Sequence, residues 1–283
     1  MTLLDLLLEP LQYDFIVRAL VATVVAAVVC ALLSCWLVLV GWSLMGDAVS
    51  HAVLPGVVLA YVVGAPFALG ALVFGFLAVG LIGVVRGTGR IKEDAAIGIV
   101  FTTLFALGLA LISVIPSQTD LAHIVFGNVL GVSGSELTQI GILAAVALAL
   151  LLLKRHDLTL YAFDAGHAHA IGLNPRLLGA LLLGLIALTA VVALQVVGVI
   201  LVVAMLIIPG ATARLLTERF GRMLVLAPAI AALCAVLGIY LSYWLDAAPG
   251  ALVVLVQGLV FAVVLVAQLS RRSRQARRRP AAA

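Results

Sequence analysis

Charged residues are scarce in this sequence: 16 Lys and Arg and 12 Asp and Glu make up 10% of the 283 residues, whereas 65% are hydrophobic. The mean hydropathy is +1.33. Apolar runs such as 20–40 and 178–208 reach or exceed the roughly 20 residues that cross a bilayer as a helix. No polar stretch is long enough to fold separately. We therefore expect an all-α membrane protein in which residues 1–283 form a single transmembrane domain.

The sequence also lacks the motifs of several enzyme classes. It has no GxxxxGK[ST] loop to bind phosphates, so we do not expect this chain to hydrolyse ATP alone. No Ser/His/Asp or HExxH arrangement indicates an intramembrane hydrolase. The three cysteines, Cys30, Cys35 and Cys234, lie in apolar runs without CxxC spacing, which favours packing residues over metal ligands. We expect a transport or scaffold subunit, and neither an enzyme nor a nucleic-acid-binding protein.

Positive charges are confined to a few places and predict the topology. Of the 16 Lys and Arg, all except Arg18 fall within four clusters, at 86–92, 154–176, 214–222 and 271–279. Clusters of this kind remain in the cytoplasm. Residues 1–14 and 117–136 carry acids and no Lys or Arg. We expect a multi-pass protein of the bacterial inner (plasma) membrane, with an extracytoplasmic N-terminus and a basic cytoplasmic tail over 270–283.

The apolar stretches between these clusters predict a polytopic bundle of eight or nine transmembrane helices. Residues 15–85 hold three spans, with breaks near 41–46 and 64–66, and 95–114, 137–153, 223–244 and 250–269 add four. The stretch 177–213 must cross twice to return to Arg214, with a turn near 195–198 and two short crossings. Eight spans remain the alternative, if one of these segments is a half-helix that lines a cavity.

Asp47 and His51 are ionisable residues within this apolar sequence. Each costs about 2.5 to 3.5 kcal/mol in a membrane helix, so such residues usually face a partner or a watery pathway. Their spacing places a carboxylate and an imidazole on one helix face. The alternative is a simple hydrogen bond between them, with Asp47 near the positive end of the helix dipole.

Two polar segments between spans offer further candidate sites. On the cytoplasmic side, 164–171 is predicted to form a short amphipathic helix, ended by Gly172 and Pro175, that could dock on a partner. On the outer side, Asp120 and His123 lie three residues apart. They are either ligands near an entrance or part of a capped interfacial helix.

Four motifs in sequence order resemble the permeases of bacterial metal-ion ABC importers, over essentially the whole chain. They are MGDAVSHAVLPG at 45–56, RIKED at 90–94 followed by AIGIVF at 96–101, DLAHIVFGN at 120–128 and LIIPGATAR at 206–214. The third motif is similar to the manganese/iron branch of this family. Zinc permeases tend to carry a different residue in place of His123 and an Asp in place of Asn128.

The resemblance implies a type II ABC importer-like fold and a mechanism. It implies a permease homodimer that receives Mn(II) or Fe(II) from an extracytoplasmic metal-binding protein and is driven by a cytoplasmic dimer of ATP-binding subunits. No cofactor would be bound permanently. Asp47 and His51 would be the metal ligands, doubled to four by the dimer. Asp120 and His123 would form an entry or gate.

The resemblance also assigns the segment of about 163–174 as the coupling helix that contacts the ATPase. The residues that it assigns to this contact are Phe163, Asp164, Gly172 and Asn174. Lipid would surround the rest of the bundle. The alternatives are a zinc(II) importer permease of the same family and a proton-coupled secondary metal transporter. The latter should show paired broken helices in an inverted repeat, and none is detected in the sequence.

Overall fold

The computed structural model describes residues 9–87, 89, 91–115, 129–197 and 199–278. Within these ranges all regular structure is helical. Besides two short 3-10 turns there are α1 Asp14–Val40, α2 Ser43–Ala52, α3 Leu54–Val63, α4 Phe67–Gly87, α5 Glu93–Val114, α6 Gly134–Leu153, α7 Arg155–Phe163, α8 Ala165–Ala170, α9 Pro175–Val197, α10 Val199–Leu216, α11 Phe220–Leu245 and α12 Pro249–Arg278. The expected all-α fold is confirmed.

Eight segments of the described chain are long and apolar enough to cross a membrane. They are α1, α4, α5, α6, α9, α11, α12 and the α2–α3 pair, which together cover Met45–Val63. A ninth candidate for a membrane crossing is α10, which has 18 residues and is about 27 Å long. The expectation of two short crossings within 177–213 is wrong for the first, because α9 begins at Pro175 and runs for 23 residues.

The chain reverses direction between α9 and α10, as the predicted turn near 195–198 requires. Both helices pack on α1: Cys30 Sγ lies 4.0 Å from the Thr189 carbonyl oxygen, and a Cβ on Gly210 would lie 2.5 Å from Ser34 Oγ. Cys30 and Ser34 are one turn apart, about 6 Å along the axis, whereas a continuous helix would separate residues 189 and 210 by about 31 Å. Therefore α10 runs back alongside α9.

Two glycines end helices where the sequence predicts breaks. Gly41, with φ of 82°, caps α1, and Gly64, with φ of 72°, caps α3. A left-handed conformation costs a glycine little and is strained for residues with a Cβ. The predicted division of residues 15–85 into three spans is confirmed.

Pro55 divides the second span into α2 and α3, a feature that the sequence-based division did not predict. Proline has no N–H to donate to the carbonyl of His51 four residues earlier, and its ring crowds that carbonyl. The helix is interrupted at Val53, whose N–H bonds to the carbonyls of Val49 and His51. The candidate site therefore lies on a half-helix that ends inside the bundle.

Helix α1 lies at the centre of the bundle and is buried along most of its length. It packs against α6, α9, α10 and α11. By contrast, most of the surface of α4, α5 and α6 is exposed. Cys30, Cys35 and Cys234 are buried and free, as expected of packing residues.

Candidate functional site

Asp47 and His51 come together on α2 as their spacing predicts. His51 Nδ1 lies 3.1 Å from Asp47 Oδ1 and 3.1 Å from the Asp47 carbonyl oxygen. The hydroxyl of Ser50 donates a hydrogen bond of 2.8 Å to the same carbonyl. The pair is thus fixed within one helical turn.

These contacts assign roles to the two nitrogens of the imidazole ring. The two Asp47 oxygens that lie 3.1 Å from Nδ1 are acceptors, and the Ser50 hydroxyl, 3.4 Å from Nδ1, donates its proton to the Asp47 carbonyl. The neutral ring therefore carries its proton on Nδ1. Nε2 then presents a lone pair, and no hydrogen bond joins it to another group in the described part of the chain. A histidine held through one nitrogen by a carboxylate and free at the other is a common arrangement for metal ligation.

Two phenylalanines of α5 form a wall against the His51 ring. The ring centroid lies 5.5 Å from that of Phe101 and 5.1 Å from that of Phe105, with interplanar angles of 78° and 70°. Edge-to-face contacts of this kind stabilise ring orientation. Sequence analysis did not identify these two residues as part of the site. The signal was the i, i+4 spacing of two aromatic residues directly after the RIKED motif.

The same contacts place the pair at mid-depth in the bundle. Phe101 and Phe105 lie about 12 and 18 Å from the start of α5, which is about 33 Å long. At the beginning of the half-helix, Trp42 lies under the guanidinium of Arg86, 5.9 Å from it. Trp42 is therefore level with the end of α4, and His51 lies about 13 Å further along. His51 is therefore level with the middle of α5.

The pair remains accessible from one side and is incomplete as a metal site. The side chains of Asp47 and His51 are 34% and 20% exposed, whereas neighbouring Val49 and Ser50 are fully buried. Within the described ranges, no third His, Cys, Asp or Glu joins them to form a metal-binding group. The described part of the chain thus offers two side-chain ligands at this position, fewer than the four to six that transition metals usually take.

The predicted amphipathic helix at 164–171 is present as α8. The Asp164 carboxylate accepts a hydrogen bond of 2.9 Å from the His167 N–H and caps the helix. Gly172 adopts a φ of 90° at its other end. Asn174 Oδ1 accepts from the N–H of Arg176 at 3.0 Å and so caps α9. Phe163, just before α8, is 61% exposed. The segment between α7 and α9 is thus mostly exposed, and side-chain caps fix the starts of both α8 and α9.

The other predicted pair, Asp120 and His123, lies outside the described residues. Its assignment as an entry or gate remains a prediction.

Comparison with known proteins identifies the family. The model of the ABC 3 transport family matches residues 12–268. This chain is a member of that family. The manganese transport system membrane protein MntB of Synechocystis is 50% identical over 260 residues, which cover 92% of this chain and 85% of MntB. The chelated iron transport system membrane protein YfeD of Yersinia pestis is 49% identical over 93% of this chain and 89% of YfeD.

A solved structure has the same fold. PsaBC from Streptococcus pneumoniae, determined in complex with a Fab, superposes with a TM-score of 0.85 at 39% identity, over 93% of this chain and 95% of that one. This similarity confirms the expected ABC importer-like bundle of membrane helices. In this ABC 3 permease, the Asp47–His51 pair lies on α2, half-way along the bundle and partly exposed.

Proposed function

We propose that this ABC 3 permease conducts a divalent transition metal, manganese(II) or iron(II), across the bacterial inner membrane. The observation that carries the proposal is the Asp47–His51 pair, held at mid-depth with one imidazole nitrogen free. Relatives that match along nearly the whole chain belong to manganese and iron transport systems. An ionisable pair at this depth is costly unless it serves a transported ion.

The metal site is shared by two copies of the chain. Each copy supplies one carboxylate and one imidazole, so a homodimer with these residues near its axis supplies four ligands and two negative charges. Two carboxylates match the charge of a dication. The partial exposure of both side chains leaves a face that a second copy can complete.

The chemistry of the ligands fits transport better than storage. Oxygen and nitrogen ligands suit Mn(II), Fe(II) and Zn(II), and discrimination among them depends on geometry and supply. The absence of thiolate from the pair keeps the affinity low enough for release. Zinc is the less favoured cargo, because the similar proteins named above serve manganese and iron. Membership in an ABC family disfavours a proton-coupled secondary transporter.

The energy for transport comes from a separate ATP-binding subunit, and the metal arrives from an extracytoplasmic binding protein. The exposed segment 163–174, with its capped helix α8, is the contact for the ATPase. With nine passes, the clusters at 86–92, 154–176, 214–222 and 271–279 all fall on one side. The reversal between α9 and α10 supports this count. The N-terminus is then extracytoplasmic and the C-terminus cytoplasmic.

Uptake of radiolabelled Mn(II) by cells that contain the complete transporter tests the proposal. Replacing Asp47 by Ala should reduce uptake at least tenfold, because the lost carboxylate contributes about 1.4 kcal/mol or more to the free energy of metal binding. Asp94→Asn is the control and should retain normal uptake, because Asp94 is exposed in the first turn of α5. Wild-type uptake by Asp47→Ala would contradict the assignment of the site.

A further inference from the structure

A cavity of about 450 Å³ lies between α7 and the start of α11. Its polar lining comes from Arg155, His156 and Thr159, and its apolar lining includes Phe163, Phe220 and Leu224. Residues 155, 159 and 163 follow each other at four-residue spacing, so one face of α7 runs from a cation to an aromatic ring. The cavity is therefore amphipathic along its length.

The wall of this cavity is firmly built. The indole N–H of Trp36 donates to Thr159 Oγ1 at 3.2 Å. Trp36, which is fully buried, also packs edge-on against Phe220, with ring centroids 5.3 Å apart. These contacts connect α7 and α11 to α1, and the rings of Phe163 and Phe220 also meet edge-on between α7 and α11, with centroids 6.2 Å apart.

The cavity lies where the spans meet the cytoplasm, if the side is assigned from the positive clusters. Lys154 ends α6 and Arg219 precedes α11, so both spans begin or end beside it. Trp36 lies four residues, or about 6 Å, before the end of α1. The phosphates of the cytoplasmic leaflet lie at this level.

The charge of Arg155 is not compensated by the described part of the chain. Its guanidinium makes no ion pair there, and the nearby Asp157 carboxylate is already paired with Lys154 at 3.1 Å. His156 is exposed and adds an imidazole donor. A guanidinium binds a phosphate through two parallel hydrogen bonds. The polar end of the cavity is thus suited to one phosphodiester.

We propose that this cavity binds an anionic phospholipid of the cytoplasmic leaflet, with its phosphate on Arg155 and His156 and its glycerol and first acyl carbons on Phe220 and Leu224. Free phosphate has no acyl chain with which to contact the apolar end of the cavity. A protein segment would have to displace the headgroups that surround this level of the membrane. The site is separate from the metal pair and does not depend on the proposed cargo.

Native mass spectrometry of the full-length permease, delipidated in detergent, tests the proposal. Phosphatidylglycerol should bind at one molecule per chain, ahead of phosphatidylcholine with the same acyl chains. Arg155→Gln with His156→Gln should weaken this binding at least about fivefold, the effect of one lost cation near an anionic headgroup. Equal binding of the two lipids, or unchanged binding by the double variant, would overturn the proposal.

A second variant blocks the cavity without changing its charge. Gly221 lines the cavity, and a Cβ there would meet no atom within 4 Å. The variant Gly221→Phe should therefore fill the space and remove the bound lipid.

The matched control for the Arg155/His156 double variant is Arg176→Gln with His169→Gln, which changes an exposed arginine and histidine outside the cavity. This control should bind the lipid as the wild type does. An equal loss in this control would show non-specific attraction and reject the site. Displacement of the lipid by the ATP-binding subunit in the assembled transporter would assign the cavity to that subunit instead.

Discussion

His51 Nδ1 lies 3.1 Å from the carboxylate of Asp47 and 3.1 Å from the carbonyl of the same residue. One acidic residue thus fixes both the tautomer and the orientation of the imidazole. In the proposed site, His51 Nε2 and Asp47 Oδ2 are the atoms of each chain that would bind the metal. The geometry is set before a metal binds, so little reorganisation is needed when it arrives.

The Phe105 ring is expected to affect metal binding without touching the metal. Its edge contact with His51 is worth about 0.5 to 1.5 kcal/mol, so Phe105→Ala should raise the KM for Mn(II) uptake about twofold to tenfold. Initial uptake rates across a range of Mn(II) concentrations measure this. Phe76→Ala serves as the control, since the Phe76 side chain is 52% exposed on α4. An unchanged KM for Phe105→Ala would show that the wall does not orient the ring.

The capping of α8 by Asp164 is expected to matter for coupling to the ATPase. Loss of this cap costs about 1 kcal/mol, so Asp164→Ala should loosen α8 and reduce metal-dependent ATP hydrolysis by the reconstituted transporter. Asp164→Ser keeps a good capping residue and should restore most of the activity. Equal impairment of both variants would indicate that the carboxylate acts by its charge. Full activity in both would exclude α8 from coupling.

The reversal between α9 and α10 predicts which side the flanking segments face. If α10 crosses the membrane, cysteines introduced at Arg176 and Glu218 lie on the same, cytoplasmic side. A membrane-impermeant maleimide should label both only after permeabilisation, while Ala248→Cys should be labelled in intact cells. The native cysteines are buried and should not react. Labelling of Arg176→Cys and Glu218→Cys from opposite sides would mean that α10 does not cross.

Apolar run length and two glycines were sufficient to predict most of the spans. Each span must satisfy its backbone hydrogen bonds internally, so the length of an apolar run defines a helix, and Gly41 and Gly64 supply the left-handed ends. The first crossing within 177–213 is expected to begin only after the positive cluster at 154–176. Instead, α9 already begins at Pro175, within that cluster, and is therefore longer than expected. The sequence predicted the existence of the pair from the spacing of Asp47 and His51 alone.

The depth and surroundings of the pair could not be predicted in the same way. They depend on which helix lies opposite α2, and Phe101 and Phe105 are about 50 residues away along the chain. The interruption after His51 comes from Pro55, whose effect depends on which neighbouring groups donate hydrogen bonds to the freed carbonyl. The spacing of Phe101 and Phe105 shows that both lie on one face of α5, but a single sequence does not show which helix that face contacts.

Metal stoichiometry tests the central claim, a site shared by two chains, most directly. Electron paramagnetic resonance of the detergent-purified transporter, titrated with Mn(II) without ATP, counts ions bound per permease chain. We expect one ion per two chains in the wild type, and loss of that ion in both Asp47→Ala and His51→Ala. Binding of one ion per single chain, or retention of the ion in either variant, would contradict the shared site.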